Sequence, residues 1–372
     1  VQRLFKELAA WAEADGDRSS RTVRDPLGIE TVIPIRVSEI AERLRILEGG
    51  IEEDPDLKSE VAQSRRQGLE LRASLLAFLN RELEGHVYWV ERTGRRRVSM
   101  NSAPVDVAPL LKPMLFDALP CVILTSATMA VNGSLDYVLG RLGADPCESL
   151  QVGSPFDFAR QMRLDVEADM PEPTAGEIFH SAAAARILRS VIRSGGGAFV
   201  LFTSASMMRD LAKRLREPLE AHGLRLLVQG EGLPRHAMLE AFRREDGQVL
   251  LGLDSFWMGV DVRGDALRNV LIVRLPFSVP DHPLTEARME QIRARGGDAF
   301  REYSLPEAVI KFRQGVGRLI RTNTDQGVVT VLDPRILSKW YGRWFIRALP
   351  EDVPVSICRE EQPIEEAPPP DA

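Results

Sequence analysis

Apolar and polar positions change their period along the chain near residue 85. Before that point LFKELAAWAEA (4–14), VSEIAERLRILEGGI (37–51) and the run 61–83 place apolar residues three and four apart, the spacing of amphipathic helices. Pro26, Pro34, Gly49, Gly50 and Pro55 punctuate them and mark their ends. From His86 the period shortens. HVYWVER and RRVSMNS read as strands, VAPLLKPMLFDAL as a helix, and CVILTSAT as a buried strand that ends in Thr125, Ser126 and Thr128. No repeat of fixed period is visible.

Beyond Gly153 the chain alternates strand and helix in the rhythm of a parallel α/β sheet. Helix AAAARILRSVIRS leads through three glycines (195–197) into strand AFVLFTS, helix MMRDLAKRLREPLEAHG, strand LRLLVQG and helix PRHAMLEAFRRE. Strands QVLLGLD, NVLIVRLPF and GVVTVLD follow, with a further helix between the last two. Five alternations fit one doubly wound α/β domain of about 200 residues, whose ligands bind at the carboxyl ends of the strands. Thr203 to Ser206, Gln229 with Gly230, and Asp254 with Ser255 fall at such ends. The three glycines precede a strand and no Lys follows them, so they read as a tight turn.

Composition narrows the class. With 372 residues and 44% hydrophobic content the chain can fill about two globular cores. Its formal charge is −6. The last fourteen residues, REEQPIEEAPPPDA, carry five acids and one base, so the body stands near −2 and the Pro- and Glu-rich tail from 351 to 372 is expected to be disordered. Cys121, Cys147 and Cys358 are scattered, which argues for a reducing compartment, the cytoplasm, and against a disulfide framework or metal site. No apolar run nears the roughly 18 residues of a membrane span. His86, His180, His222, His236 and His282 show no ligand spacing. Because the sequence opens on Val1, it reads as a piece of a longer protein.

The richest local chemistry lies in IKFRQGVGRLIRT, 310–322. On a continuous helix Gln314, Arg318 and Arg321 would project within about 60° of one another. Gly315 and Gly317 would each cost that helix roughly 1 kcal/mol relative to Ala, so they mark places where a backbone or a phosphate comes close. Two guanidiniums aimed alike suit an anion between them. The alternative is a solvated basic face. From Lys311 to Arg347 there are eight basic residues and two acids, Asp325 and Asp333, a local +6 in a chain that is acidic overall.

Taken in order, the edge clusters resemble the later motifs of superfamily two DNA helicases of the DinG and XPD-like group. TSAT (125–128) resembles motif III, GSPFDF (153–158) the opening of the second motor domain, and LFTS (201–204) motif IV. LGLDSFWMGVDVRG (251–264) with LIVRLPF (271–277) resembles motif V, and QGVGRLIR (314–321) motif VI. The likeness covers roughly residues 86–350. Neither a GxxxxGK[ST] phosphate loop nor a DEAH-like box is found, and no four-cysteine iron–sulfur motif.

The resemblance implies a RecA-like second motor domain over 151–350, preceded by a helical arch remnant (1–84) and the end of a first RecA-like domain (85–150), with the tail at 351–372. It implies ATP with Mg²⁺ as cofactor, the metal being held by residues outside this sequence, and no iron–sulfur cluster in this chain. The implied partner is single-stranded or forked duplex DNA, met by a monomeric motor that moves 5′ to 3′ and touches no membrane. Arg318 and Arg321 would be arginine fingers and Gln314 would orient water or phosphate. Gly259, Asp261 and Gly317 would line the nucleotide; the family often has Glu where Met258 stands. Thr125, Ser126, Thr128, Thr203, Ser204 and Ser255 would contact DNA or couple it to the nucleotide, although hydroxyls at such places also serve as caps and turns. Trp257 would stack on a base or sit in the core. This chain alone would hydrolyse no ATP. The rival expectation is a non-catalytic nucleic-acid-binding module that keeps the fold. A dinucleotide enzyme would need a GxGxxG that is absent.

Overall fold

The computed structural model describes residues 1–14, 19–94, 97–257, 266–279 and 282–359, in two compact units. The first unit comprises 1–117 and 279–299. Helix Gln2–Glu13 buries Leu4, Leu8 and Ala12, an i, i+4, i+8 stripe. It packs with Leu75, Phe78 and Leu79 of helix Pro55–Asn80 and with Tyr88 and Val90. Asp54 starts the long helix by accepting from the amides of Asp56 and Leu57, and Arg81 ends it in the left-handed conformation. Helix Ile33–Gly50 runs beside it. Strands β1 (Ser20–Thr22), β2 (His86–Thr93) and β3 (Arg97–Pro104) form an antiparallel sheet in that order. Helix Pro283–Ala294 returns to this unit, where Glu286 and Glu290 both pair with Arg24, a placement that no periodicity announced.

The second unit comprises 118–278 and the residues from 300 on. Its sheet holds β4 (Met162–Glu167), β5 (Ala198–Leu201), β6 (Arg225–Val228), β7 (Gln248–Gly252), β8 (Asn269–Ile272), β9 (Gly327–Val331) and β10 (Val355–Cys358). The order is β10-β4-β9-β8-β5-β7-β6, every pairing parallel. Strands buried on both faces read as continuous apolar runs, and the packing shows why. Phe199 and Leu201 enter one core while Ala198 and Val200 enter the other. Helices Glu177–Ser194 and Ala205–Ala221 close the second core; Arg235–Arg244 and Leu305–Val316 close the first.

Two expectations are corrected, and one strand was not expected. Residues 121–126 form no strand, and Ile123 and Leu124 are exposed. Among the described residues the run finds no ladder partner, so its backbone groups have nothing to pair with and its apolar side chains nothing to bury against. The segment from 351 is not wholly irregular, because β10 pairs with β4 from Val355 beside Leu164 to Cys358 beside Glu167; residues 360–372 lie outside the described residues. Strand β4 itself, MRLDVE, mixes charge with apolar residues and escaped the pattern.

The glycine turn is as expected: Gly195, Gly196 and Gly197 all have positive φ. A Cβ on Gly196 would lie 2.6 Å from the Gly247 backbone, whereas one on Gly195 would meet nothing within 4 Å. Gly195→Ala should therefore cost only the roughly 1–2 kcal/mol of a left-handed residue. Gly196→Ala adds a backbone clash and should lose about 1–3 kcal/mol more. Denaturant titration of the two variants checks the order; equal losses would contradict the close approach.

Candidate functional site

Thr203, Ser204, Gln229, Asp254 and Ser255 follow strands at the carboxyl edge of the parallel sheet, whereas the loop after Arg321 leads into β9 and lies beside Gln161, which precedes β4. The motif helix Leu305–Val316 ends at Gly317, so Arg318 and Arg321 follow the helix and do not share one helical stripe with Gln314. The helix stops where the chain must turn into β9. What joins Gln314 and Arg318 is hydrogen bonding. Arg318 Nε donates to the carbonyls of Gln314 (3.1 Å) and Trp257 (3.3 Å). Gln314 Nε2 reaches Thr128 Oγ1 at 3.5 Å, which brings the TSAT segment to the motif helix. Arg313 donates to Ala130 O at 3.5 Å, and burial pushes its guanidinium below the ordinary value.

The loop holding Arg321 is fixed by an acid. Asp325, 3% exposed, accepts from the amides of Arg321 (2.8 Å) and Thr322 (2.9 Å) and from the Thr322 hydroxyl (2.6 Å). Gln161 Nε2 then donates to the carbonyls of Thr322 and Asp325, each at 2.9 Å. A carboxylate taking several donors is a strong local clamp. The sequence held one hint, an isolated acid inside a basic segment, but nothing that named Gln161 as its neighbour.

Trp257 belongs to the core: fully buried, its indole N–H donates to Phe202 O at 3.1 Å. It also explains Gly315, since a Cβ there would sit 2.8 Å from a ring carbon of Trp257. The close approach expected at Gly315 is that of an indole, not of a phosphate. Gly317 is exposed and has φ −64°, so its conformation does not demand glycine. Lys311 stands over the same indole at 5.6 Å and pairs with Asp254 at 2.6 Å.

The hydroxyl residues divide. Ser204 caps helix Ala205–Ala221 through the Met207 amide and contacts Ser206 at 2.9 Å. Ser255 Oγ accepts from Gln229 Nε2 at 3.1 Å, while Gln229 Oε1 accepts from the Leu253 amide at 2.7 Å. Ser126 Oγ accepts from the Thr128 amide at 3.1 Å. Thr125 is exposed and Thr203 half-buried at the end of β5. Met258, Gly259 and Asp261 lie outside the described residues.

Asp333, without solvent exposure, accepts from the Leu275 amide at 2.8 Å and binds Arg335 at 2.6 Å. Burial opposes the Arg335 charge, but the bond to Asp333 outweighs it and leaves the guanidinium above its ordinary value. This pair pins the chain leaving β8 to the chain leaving β9. Away from the edge, His180 is not isolated: with Glu177 and Asp210 it forms a cluster of ligand-type atoms within 4.8 Å. Arg214 bonds Glu177 at 2.6 Å and Asp210 at 3.1 Å, so both carboxylates already face a cation.

The chain is similar to known helicase proteins. Residues 187–352 match the family described as Helicase C-terminal domain. The chain is 42% identical over 267 residues to the ATP-dependent DNA helicase YoaA of Escherichia coli K12, covering 72% of this chain and 41% of that protein. Identity to the Haemophilus influenzae YoaA is 39% over 312 residues, 81% of this chain and 48% of that one. The protein named 3'-5' exonuclease DinG of Bacillus subtilis is 36% identical over 270 residues, 70% of this chain and 29% of that one. The chain thus spans less than half the length of these curated relatives. In fold it is similar to a solved XPD helicase (TM-score 0.63, 15% identity, 96% of this chain and 61% of that one) and to an apo form of XPD (0.57, 15%, 94% and 76%). The parallel sheet is RecA-like.

If Asp325 clamps the arginine loop, Asp325→Ala should cost about 2–4 kcal/mol, because two backbone N–H groups lose a buried acceptor. Asp325→Asn, which keeps one acceptor oxygen, should fall between the two. Chemical denaturation measures both, and a loss under about 0.5 kcal/mol for the Ala variant would refute the clamp. With the ordered motifs and these relatives together, residues 187–352 are a helicase C-terminal domain, and the chain is similar to the C-terminal portion of the DinG/XPD-like helicases.

Proposed function

We infer that this chain supplies the second motor domain of an ATP-dependent DNA helicase that moves on single-stranded DNA, 5′ to 3′, and opens duplexes. In this reading residues 1–84 are an arch remnant, 85–150 the returning end of the first motor domain and 151–350 the second. The observation that carries it is the bonded series Thr128–Gln314–Arg318 at the carboxyl edge. One helix end there touches both the TSAT segment and, through Trp257 O, the start of the motif V segment.

A motor of this kind needs charge at the γ-phosphate only when its cleft closes. Arg318 and Arg321 would supply that charge. The first is oriented by two carbonyls, and the second rides on the loop that Asp325 holds. Gln314 would pass the nucleotide state to Thr128, and Gly317, Gly259 and Asp261 would border the nucleotide. Thr125, Ser126, Thr203 and Ser255 would offer hydroxyls to DNA phosphates, with Ser204 holding its helix start among them. Asp254 and Asp333 are engaged by Lys311 and Arg335. The motor would act as a monomer in the cytoplasm, on single-stranded or forked DNA.

In the full-length protein, Arg321→Ala should lower ATP turnover at least about a hundredfold, since arginine fingers contribute roughly 10³–10⁵, and leave single-strand affinity within a few-fold. Arg343→Ala, outside the array, should change turnover little. Equal losses would indicate a generic basic surface. The chain by itself should hydrolyse no ATP, because it holds neither a phosphate-loop Lys nor a metal carboxylate box. Steady-state turnover above a mock preparation would overturn that assignment.

A further inference from the structure

The segment that follows TSAT lies along one face of the motif helix. Glu307, Ile310 and Gln314 are half-buried positions of helix Leu305–Val316, and their spacing of three and four puts them on one helical stripe. At one end Gln314 meets Thr128 at 3.5 Å. Two turns earlier, about 10 Å along the axis at 1.5 Å per residue, Glu307 Oε1 accepts from the Tyr137 hydroxyl at 2.5 Å. Tyr137 stands in the first turn of helix Asp136–Leu142, and Arg141, one turn on, lies over the ring of Tyr303 at 5.5 Å. Between the ends Arg313 donates to Ala130 O at 3.5 Å, and Val131, 5% exposed, enters the core that the motif helix closes. Thr128, Ala130, Tyr137 and Arg141 thus meet Gln314, Arg313, Glu307 and Tyr303 in turn, so the two segments run antiparallel in one register.

These contacts are unequal. The bonds to Thr128 and Ala130 sit at the long limit of hydrogen bonding, where they hold little. The Tyr137 bond is short and its acceptor is a carboxylate, and bonds to an ionised acceptor are the shorter and stronger kind. Burial, with the Glu307 charge beside it, pushes the Tyr137 phenol above its ordinary value, so the hydroxyl keeps the proton it donates. The ring packs against the same core as the motif helix. The register of Thr128 on Gln314 therefore depends on a bond two turns away.

We propose that Tyr137 is a positioning residue of the motor: its bond to Glu307 fixes the segment 128–142 along the motif helix and so keeps Thr128 opposite Gln314 while ATP is turned over. The inference rests on the motor reading, in which Gln314 passes the nucleotide state to Thr128. It adds the residue that sets their register, one that touches neither nucleotide nor DNA. Once the hydroxyl is lost, the segment is held by apolar packing, two long bonds and a guanidinium over a ring, contacts that tolerate sliding more than a short bond does.

Two variants test it. Tyr137→Phe removes one oxygen and keeps the ring in its core; Glu307→Met keeps the length of the side chain and removes the acceptor. In the chain itself, hydrogen exchange read by mass spectrometry should show amides of 128–142 exchanging at least about fivefold faster in either variant. The double variant should be no faster than the singles, and β5 and β8 should exchange as before, which verifies the fold. In the full-length protein with single-stranded DNA, each variant should lower kcat for ATP roughly fivefold to tenfold, with KM for ATP and the half-saturating DNA concentration within about twofold. A purely structural role would leave kcat of the folded protein as it was. Unmoved exchange over 128–142, effects of the two changes that add, or full kcat beside the expected Arg321→Ala loss would each overturn the proposal and leave the motor reading standing. A full-length protein without DNA-stimulated turnover would defeat the motor reading, and this proposal with it.

Discussion

The indole of Trp257 lies in the notch that Gly315 leaves on the motif helix, and most of the carboxyl edge is organised around that contact. Its N–H reaches Phe202 O at the end of β5, its own carbonyl takes Arg318 Nε, and its face lies under Lys311, which holds Asp254 after β7. Three segments far apart in sequence therefore share one rigid, dry anchor. A side chain at position 315 would push the helix off the sheet. The arginine loop, the helix and the turn after β7 would then lose their common reference. Burial of a large aromatic with its polar atom paired is among the stronger local contributions a core can make.

Around that anchor, acids do the fine placement. Asp325 gathers the backbone after Arg321, and Asp333 ties the chain leaving β8 to Arg335 after β9. Both lie within a segment that is otherwise strongly basic, and both are almost fully buried. Repulsion among the arginines is thus offset from inside the fold. Arg318 Nε is oriented by two backbone carbonyls, and Asp325 fixes the backbone from which Arg321 projects, part of the preorganisation that transition-state charge stabilisation requires.

Both edges of the sheet present arginines, but they are built differently. At the carboxyl edge the cations are threaded into backbone carbonyls and buried acids. At the amino edge Arg160, Arg163, Arg193 and Arg268 are exposed residues around the open mouth of a cavity. A parallel sheet makes such a division natural, since every strand begins at one edge and ends at the other.

Periodicity alone determined the helical start of the chain, the alternating second half and the central strands, because helices such as Glu177–Ser194 and apolar strands such as β5 and β8 bury whole faces and must show it in composition. The order of motifs was equally legible and marked Thr128, Gln314 and Arg318 as candidates, but not the bonds that join them. What only tertiary structure decided was every partner supplied from afar. The Trp257 indole, not a phosphate, accounts for Gly315; Gln161 supports the Asp325 loop; β10 completes the sheet beside β4; and helix Pro283–Ala294 joins the first unit. The helix end at Val316 broke the expected stripe for the same reason, because the turn toward β9 is imposed by the sheet and not by residues 314–321 themselves. The run 121–126 had the composition of a buried strand, but a strand exists only when a neighbour pairs with it, and composition does not carry that neighbour.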